Sequence, residues 1–315
     1  MGVFIRISMV QTMKLTRWAT YVSVSVAVIL LVIKSYAWWE TGSVGVMASM
    51  LDSAVDVVAS VMILMAVRIA QIPADTEHRL GHGKAEPLAS LAQSVFIAGS
   101  AFYLIVHALE RLFYPVAMTE PGIGVAVMLM SMALTVMLVV FQRYIIRKTG
   151  STAIQADSLH YLSDLGANFA IVIGLLLAAF VWLDALLGMV IGAWVGWEAL
   201  KLAKVSANQL LDRELPDDIR EEIAARVLAH PKVSGFNDLR TFQSGPTIFI
   251  QLDLELDDDF SLLESHAISE EVTESLLQGF PHADILIHQE PVSLQGDPDH
   301  HQWGAEIKSV EQNER

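Results

Sequence analysis

The sequence predicts a membrane α-helical protein with six transmembrane helices, followed by a C-terminal α+β domain of ferredoxin-like type with the order αββαβ. Two patterns carry this. Six apolar runs, at about 18–39, 45–70, 86–113, 121–146, 153–180 and 182–205, each approach or exceed the ~20 residues that span a bilayer. Charge is also segregated along the chain. Residues 1–206 hold 13 basic against 12 acidic side chains, while residues 207–315 hold seven against 23, which together make the net −15.

Each element follows from its own signals. The 53% hydrophobic content and mean hydropathy of +0.47 exceed what a water-soluble globule of 315 residues carries. Trp18, Trp38 and Trp39 fall near span ends, where amphipathic rings favour the membrane interface. Basic residues collect on one side: Arg6, Lys14 and Arg17 before the first span, Arg68, Arg79 and Lys84 flanking the second connection, Arg143, Arg147 and Lys148 flanking the fourth, and Lys201, Lys204 and Arg213 at and beyond the end of the sixth span. The other side carries only Arg111. The positive-inside rule then places both termini in the cytoplasm.

Beyond residue 207 the hydrophobic period changes. Pro216–Ala229 repeats as an amphipathic helix, "VSGFNDLRTFQSG" and "PTIFIQLDLEL" alternate as two strands around a Ser-Gly-Pro turn, Leu262–Leu277 is a second helix and "ADILIHQEPV" a closing strand. The predicted organisation is a cytoplasmic N-terminal segment (1–17), a six-helix transmembrane domain (18–206), a cytoplasmic ferredoxin-like domain (207–292) and a disordered tail (293–315). The strong acidity of the last third argues against nucleic acid or anionic lipid as its partner and suits attraction of metal cations, while the apolar runs imply contact with membrane lipid. There is no cysteine, so disulfides and thiolate metal sites are excluded, and any metal must be held by His, Asp or Glu.

Two pairs of ionisable residues interrupt the apolar runs. Asp52 and Asp56 lie in "MLDSAVDVVAS", and His160 and Asp164 in "ADSLHYLSDLG". A charge at bilayer depth costs roughly 2.5–3.5 kcal/mol on insertion scales, so such residues are rare and usually functional. Four-residue spacing puts each pair on one helix face. Together they offer three carboxylates and one imidazole, a ligand set for a divalent ion. Asp157, one turn before His160, reads as an entrance residue and not a ligand. Between the second and third spans, "PADTEHRLGHGKAEP" sets Asp75, His78 and His82 at three- and four-residue offsets. Gly81 and Gly83 there let the backbone fold the three inward, as an auxiliary metal site. Gly188, Gly192 and Gly196 make a small-residue series that reads as close helix packing.

The segments "WWETGSVGVMASMLDSAVD", "PADTEHRLGHGKAEPLASLAQS", "ADSLHYLSD", "LLDRELPDD" and "DILIHQEPVS" resemble the cation diffusion facilitator family, in its YiiP-like bacterial zinc and ferrous-iron efflux branch, over nearly the whole chain. The resemblance implies a homodimer in the bacterial inner membrane that exports divalent metal from the cytoplasm as a proton-coupled antiporter. Zn²⁺ is the expected substrate, with Cd²⁺ or Fe²⁺ as alternatives, and protons are the counter-ion. By motif position, Asp52, Asp56, His160 and Asp164 match the family's transport site, and Asp75, His78 and His82 its loop site. The branch also carries a two-metal cytoplasmic site. His266 and His288 are retained from it, but Asn237 and Asp253 stand where it has His, and Glu290 where it has Asp. This implies a degenerate site of His266, His288, Asp253 and Glu290 holding one weakened structural Zn²⁺ or none.

Two other readings fit a membrane metal site. An intramembrane metal-dependent hydrolase would need a general base, and no HExxH stands beside the quartet. A membrane metal sensor has no need of ligands buried in two spans.

Overall fold

The computed structural model describes residues 9–41, 44–113, 123–176, 181–245 and 247–294. The chain divides into two compact units, 1–210 and 211–315.

Among the described residues, the first unit is a bundle of six helices: α1 (Met9–Thr41), α2 (Val44–Ala70), α3 (Ala85–Phe113), α4 (Ile123–Thr149), α5 (Thr152–Leu176) and α6 (Val181–Leu210). Among the described residues, α1, α2, α3, α4 and α6 each hold a stretch long and apolar enough to cross a membrane. α1 begins at Met9, so residues 9–17, ahead of the first apolar run, are already helical. Large apolar side chains such as Val58, Val95, Phe102, Val140 and Trp197 point outward from the bundle. That is the surface a bilayer requires, because lipid tails are as apolar as the core.

The first part of α5 carries Gln155, Asp157, His160, Asp164 and Asn168, and it lies inside the bundle. Three separate apolar clusters share it. Ala156 and Leu159 pack with Ile63 and Val67 of α2, Ile97 of α3 and Val195 of α6. Ile154 meets Ala19 of α1 and Ile145 of α4, and Tyr161 meets Leu138 and Val139 of α4. The polar face of α5 is thereby taken out of lipid.

The glycine series of α6 does what its spacing predicts. A β-carbon on Gly188 would sit 3.1 Å from Ala108, on Gly192 2.8 Å from Ile105 and on Gly196 3.6 Å from Ala101, all in α3. The two backbones approach closely there, and α3 with α6 is the most extensive helix pair of the bundle.

The second unit has the order α7 (Asp217–Leu228), β1 (Gly235–Ser244), β2 (Thr247–Leu256), α8 (Leu262–Gly279) and β3 (Ala283–Pro291), closed by a short 3₁₀ turn at Val292–Leu294. β2 is the central strand, antiparallel to β1 and parallel to β3. Its alternation sends Ile250, Leu252, Leu254 and Leu256 into a core with Ile223 and Val227 of α7 and Ile268, Val272 and Leu276 of α8. The odd positions, including Asp253, face the other way. α8 starts with a capping box: the Glu264 amide donates to Ser261 Oγ at 3.3 Å, and the Ser261 amide donates to Glu264 Oε2 at 2.9 Å. The sequence from residue 295 onward, expected as a tail, lies outside the described residues.

Candidate functional site

The packing of α2 against α5 brings three of the four intramembrane residues together. His160 Nε2 lies 3.1 Å from Asp56 Oδ1 and 3.8 Å from Asp164 Oδ2. One ligand atom from each of the three falls within 4.8 Å of the others. His160 is 5% exposed, enclosed by the edge of the Phe96 ring and by Tyr161. Asp164 Oδ2 is buried without a hydrogen-bond partner. A buried acceptor left unpaired costs about 1–3 kcal/mol, so this oxygen is poised for a cation. Asp52, one turn from Asp56 on α2, is exposed and stands outside the trio.

Asp157 does not sit at an entrance. It is 1% exposed and held from three other helices. Ser23 of α1 donates a short hydrogen bond to it, Ser60 of α2 donates at 3.2 Å, and Gln142 Nε2 of α4 donates at 2.8 Å. Tyr161 Oη lies 2.8 Å from Ser60 Oγ. Ser60 has one proton, so when it donates to Asp157, Tyr161 must donate to Ser60. Ser60 is one turn from Asp56, and Asp157 one turn from His160. The knot therefore pins α2 and α5 beside the site. Its signal in the sequence was a polar stripe continuing each ligand face by one more turn.

A second unforeseen residue is Lys34, hidden inside the first apolar run. Its Nζ donates to Ser53 Oγ at 2.7 Å, on the α2 turn that carries Asp52 and Asp56. Lys34 and Asp52 each lie roughly two helical turns from the α1–α2 connection, which puts them at one depth.

In the loop before α3, Asp75 Oδ1 accepts the amides of Glu77 at 2.9 Å and His78 at 2.6 Å. The His78 amide foremost, with help from that of Glu77, holds the Asp75 carboxyl below its usual range. His78 Nδ1 and His82 Nε2 each lie 3.5 Å from an Asp75 oxygen, and the two rings are 4.5 Å apart. All three predicted loop residues thus converge. Of the two glycines only Gly81 has the positive φ, +77°, that such a tight loop needs.

In the second unit the sheet register builds the third cluster. Asn237 pairs with Asp253 across β1–β2, and Asp253 with His288 across β2–β3. His288 Nδ1 lies 3.3 Å from Asp253 Oδ1 and 3.7 Å from Glu290 Oε1. Asn237 Nδ2 donates to Glu290 and Glu255, while its Oδ1 is buried and unpaired. Burial, then the charge of Glu290, pushes the Asp253 carboxyl up. Carboxylates crowded beside an unsatisfied carbonyl oxygen fit one hard cation. His266, exposed on α8, is not among them.

Comparison with known proteins extends this geometry. The family model for the cation efflux transmembrane domain matches residues 20–211, and that for the cation efflux protein cytoplasmic domain matches residues 215–292. The chain belongs to the cation-efflux (cation diffusion facilitator) family. This cation-efflux protein is 46% identical over 283 residues to the cation-efflux pump FieF of Citrobacter koseri and to that of Salmonella arizonae, covering 89% of this chain and 94% of each relative. Among solved structures, the zinc form of the putative zinc transporter CzrB is 30% identical over 26% of this chain and 94% of that chain, at a TM-score of 0.24. The metal-bound C-terminal domain of the CzcD transporter from Thermotoga maritima is 26% identical over 24% of this chain and 88% of that chain, at 0.23. The cation-efflux protein is a membrane transporter and not an enzyme.

Proposed function

We propose that this protein exports Zn²⁺ from the cytoplasm across the bacterial inner membrane in exchange for protons, acting as a homodimer with both termini in the cytoplasm. Cd²⁺ and Fe²⁺ are the alternative substrates. The observation that carries the reading is the convergence of Asp56, His160 and Asp164 from two helices, with an unpaired buried oxygen, deep in an apolar bundle. Asp52, on the same α2 face, completes the ligand set as the fourth donor.

The chemistry follows from the donors. One imidazole nitrogen and three carboxylates bind Zn²⁺ at about 2.0–2.2 Å in a tetrahedral arrangement. The ligands bind metal in their deprotonated forms, so metal and protons compete for them. Metal loaded on the cytoplasmic side is displaced where protons are more abundant. Relative movement of α2 and α5 against their neighbours transfers access from one side to the other. The loop cluster of Asp75, His78 and His82 is an auxiliary site. The cytoplasmic cluster of Asp253, His288 and Glu290 holds one weak ion, with His266 outside it.

The test is zinc entry into liposomes holding the reconstituted full chain, with an acid interior and a zinc-sensitive dye. Wild-type protein should take up zinc in proportion to the pH gradient. Asp56→Ala and His160→Ala should each lower the flux by about 100-fold or more while remaining folded, since even ligand-supporting residues are worth 10–100-fold. Flux independent of the gradient would remove the proton coupling, and movement of Fe²⁺ but not Zn²⁺ would change the substrate. Undiminished flux in both variants would remove the site.

A further inference from the structure

An ammonium in an apolar helix near a bilayer surface ordinarily reaches outward, burying its stem and leaving its charge in water. Lys34 does the opposite. α1 continues past it to the exposed Trp38 and Trp39, yet its Nζ turns into the bundle and donates to Ser53, a fully buried side chain of α2. There it lies within electrostatic reach of Asp56, Asp164 and Asp52. We propose that Lys34 is a built-in counter-cation of the intramembrane acidic site, which balances the charge of the loaded site and weakens metal binding enough for release.

This role of Lys34 rests on the reading that Asp52, Asp56, His160 and Asp164 hold the transported ion. With a divalent ion bound and His160 neutral, three carboxylates, one ammonium and one ion sum to zero. Without Lys34 the loaded site keeps an uncompensated negative charge, which is unfavourable at low dielectric. A monovalent ion leaves the same site negative and a trivalent ion leaves it positive, so the fixed ammonium favours divalent cargo. The ammonium also repels the ion it accompanies. A tethered positive charge beside a metal site opposes binding of the ion and speeds its departure. A lysine that merely held α1 on α2 would have neither effect.

The test measures zinc binding to the purified full chain as the component that Asp56→Ala abolishes, together with zinc flux in liposomes. Lys34→Gln should bind zinc about tenfold or more tightly. Its flux should saturate at lower zinc and reach a lower maximum, because release becomes limiting. Lys34→Arg, which keeps the charge, should stay near wild type. Ser53→Ala removes the anchor of the ammonium but not its charge, and should tighten binding by a smaller factor. Unchanged or weaker zinc binding in folded Lys34→Gln overturns the inference. If Lys34→Gln does not fold, unchanged or weaker binding in Ser53→Ala overturns it equally. Zinc binding that survives intact in Asp56→Ala instead overturns the ligand assignment, a separate outcome.

Discussion

Ser60 illustrates how much a single hydroxyl decides. It bonds Asp157 and Tyr161 at once and is itself fully buried. Ser60→Ala removes both bonds while leaving two buried polar groups short of a partner, so it should destabilise the bundle by about 1–3 kcal/mol. Thermal unfolding in detergent would read this, and an unchanged midpoint would show that the knot is not structural. Asp253 sets a pH dependence. Its carboxyl is pushed above the usual aspartate range, first by burial and then by Glu290. The folded chain thus holds that proton more tightly than the unfolded chain. Stability accordingly falls as pH climbs from about 3.9 to the raised value, and stays lower above it. Asp253→Asn should raise the unfolding temperature of the metal-free protein at neutral pH, with the gain shrinking as the pH falls. It should also reduce the stabilisation that added zinc provides. A gain of equal size at every pH would rule this origin out.

At the scale of elements, α3 and α6 meet through a surface from which side chains have been removed. Gly192 has room for none, since its β-carbon would lie 2.8 Å from Ile105 and 3.2 Å from the Ala101 carbonyl. Gly192→Leu must push the helices apart, at a cost of about 1–3 kcal/mol from overpacking. Reduced yield of folded protein with a lowered midpoint is the expected outcome. Gly150 ends α4 at φ +65° with nothing near its β-carbon position, so strain and not crowding is what alanine would meet there. α5 shows a different economy. Its first part is polar on one face, and three apolar clusters enclose it inside the bundle.

Across the whole molecule the two units divide the chemistry. The helical unit is nearly neutral and buries Asp157 and His160 within the bundle. The C-terminal part carries most of the chain's excess acid and displays it on a small sheet domain. A matching cytoplasmic domain of the cation efflux family makes a second copy of the chain the expected partner. The full chain in mild detergent should have the mass of a dimer, and a monomeric mass at micromolar protein would contradict that. Metal counting on the full chain should find fewer than two tightly bound ions per protomer that depend on Asp253. Two would contradict the degenerate cytoplasmic site.

Local patterns along the chain suffice to dictate the helical bundle and the αββαβ order. Apolar runs, strand alternation and i,i+4 pairs are local patterns, and physical chemistry forces them locally. They were enough to single out Asp56, His160, Asp164 and the loop trio, because charges in apolar runs and closely spaced histidines stand out. What only the tertiary structure decided is who meets whom. Asp157 looked like an entrance residue, yet donors from three other helices bury it, and no spacing along one helix reveals donors on another. Lys34 was invisible among apolar neighbours until the α1–α2 pair set it at the depth of Asp52. Asn237, Asp253 and His288 are far apart in the chain, and only strand register makes them one row.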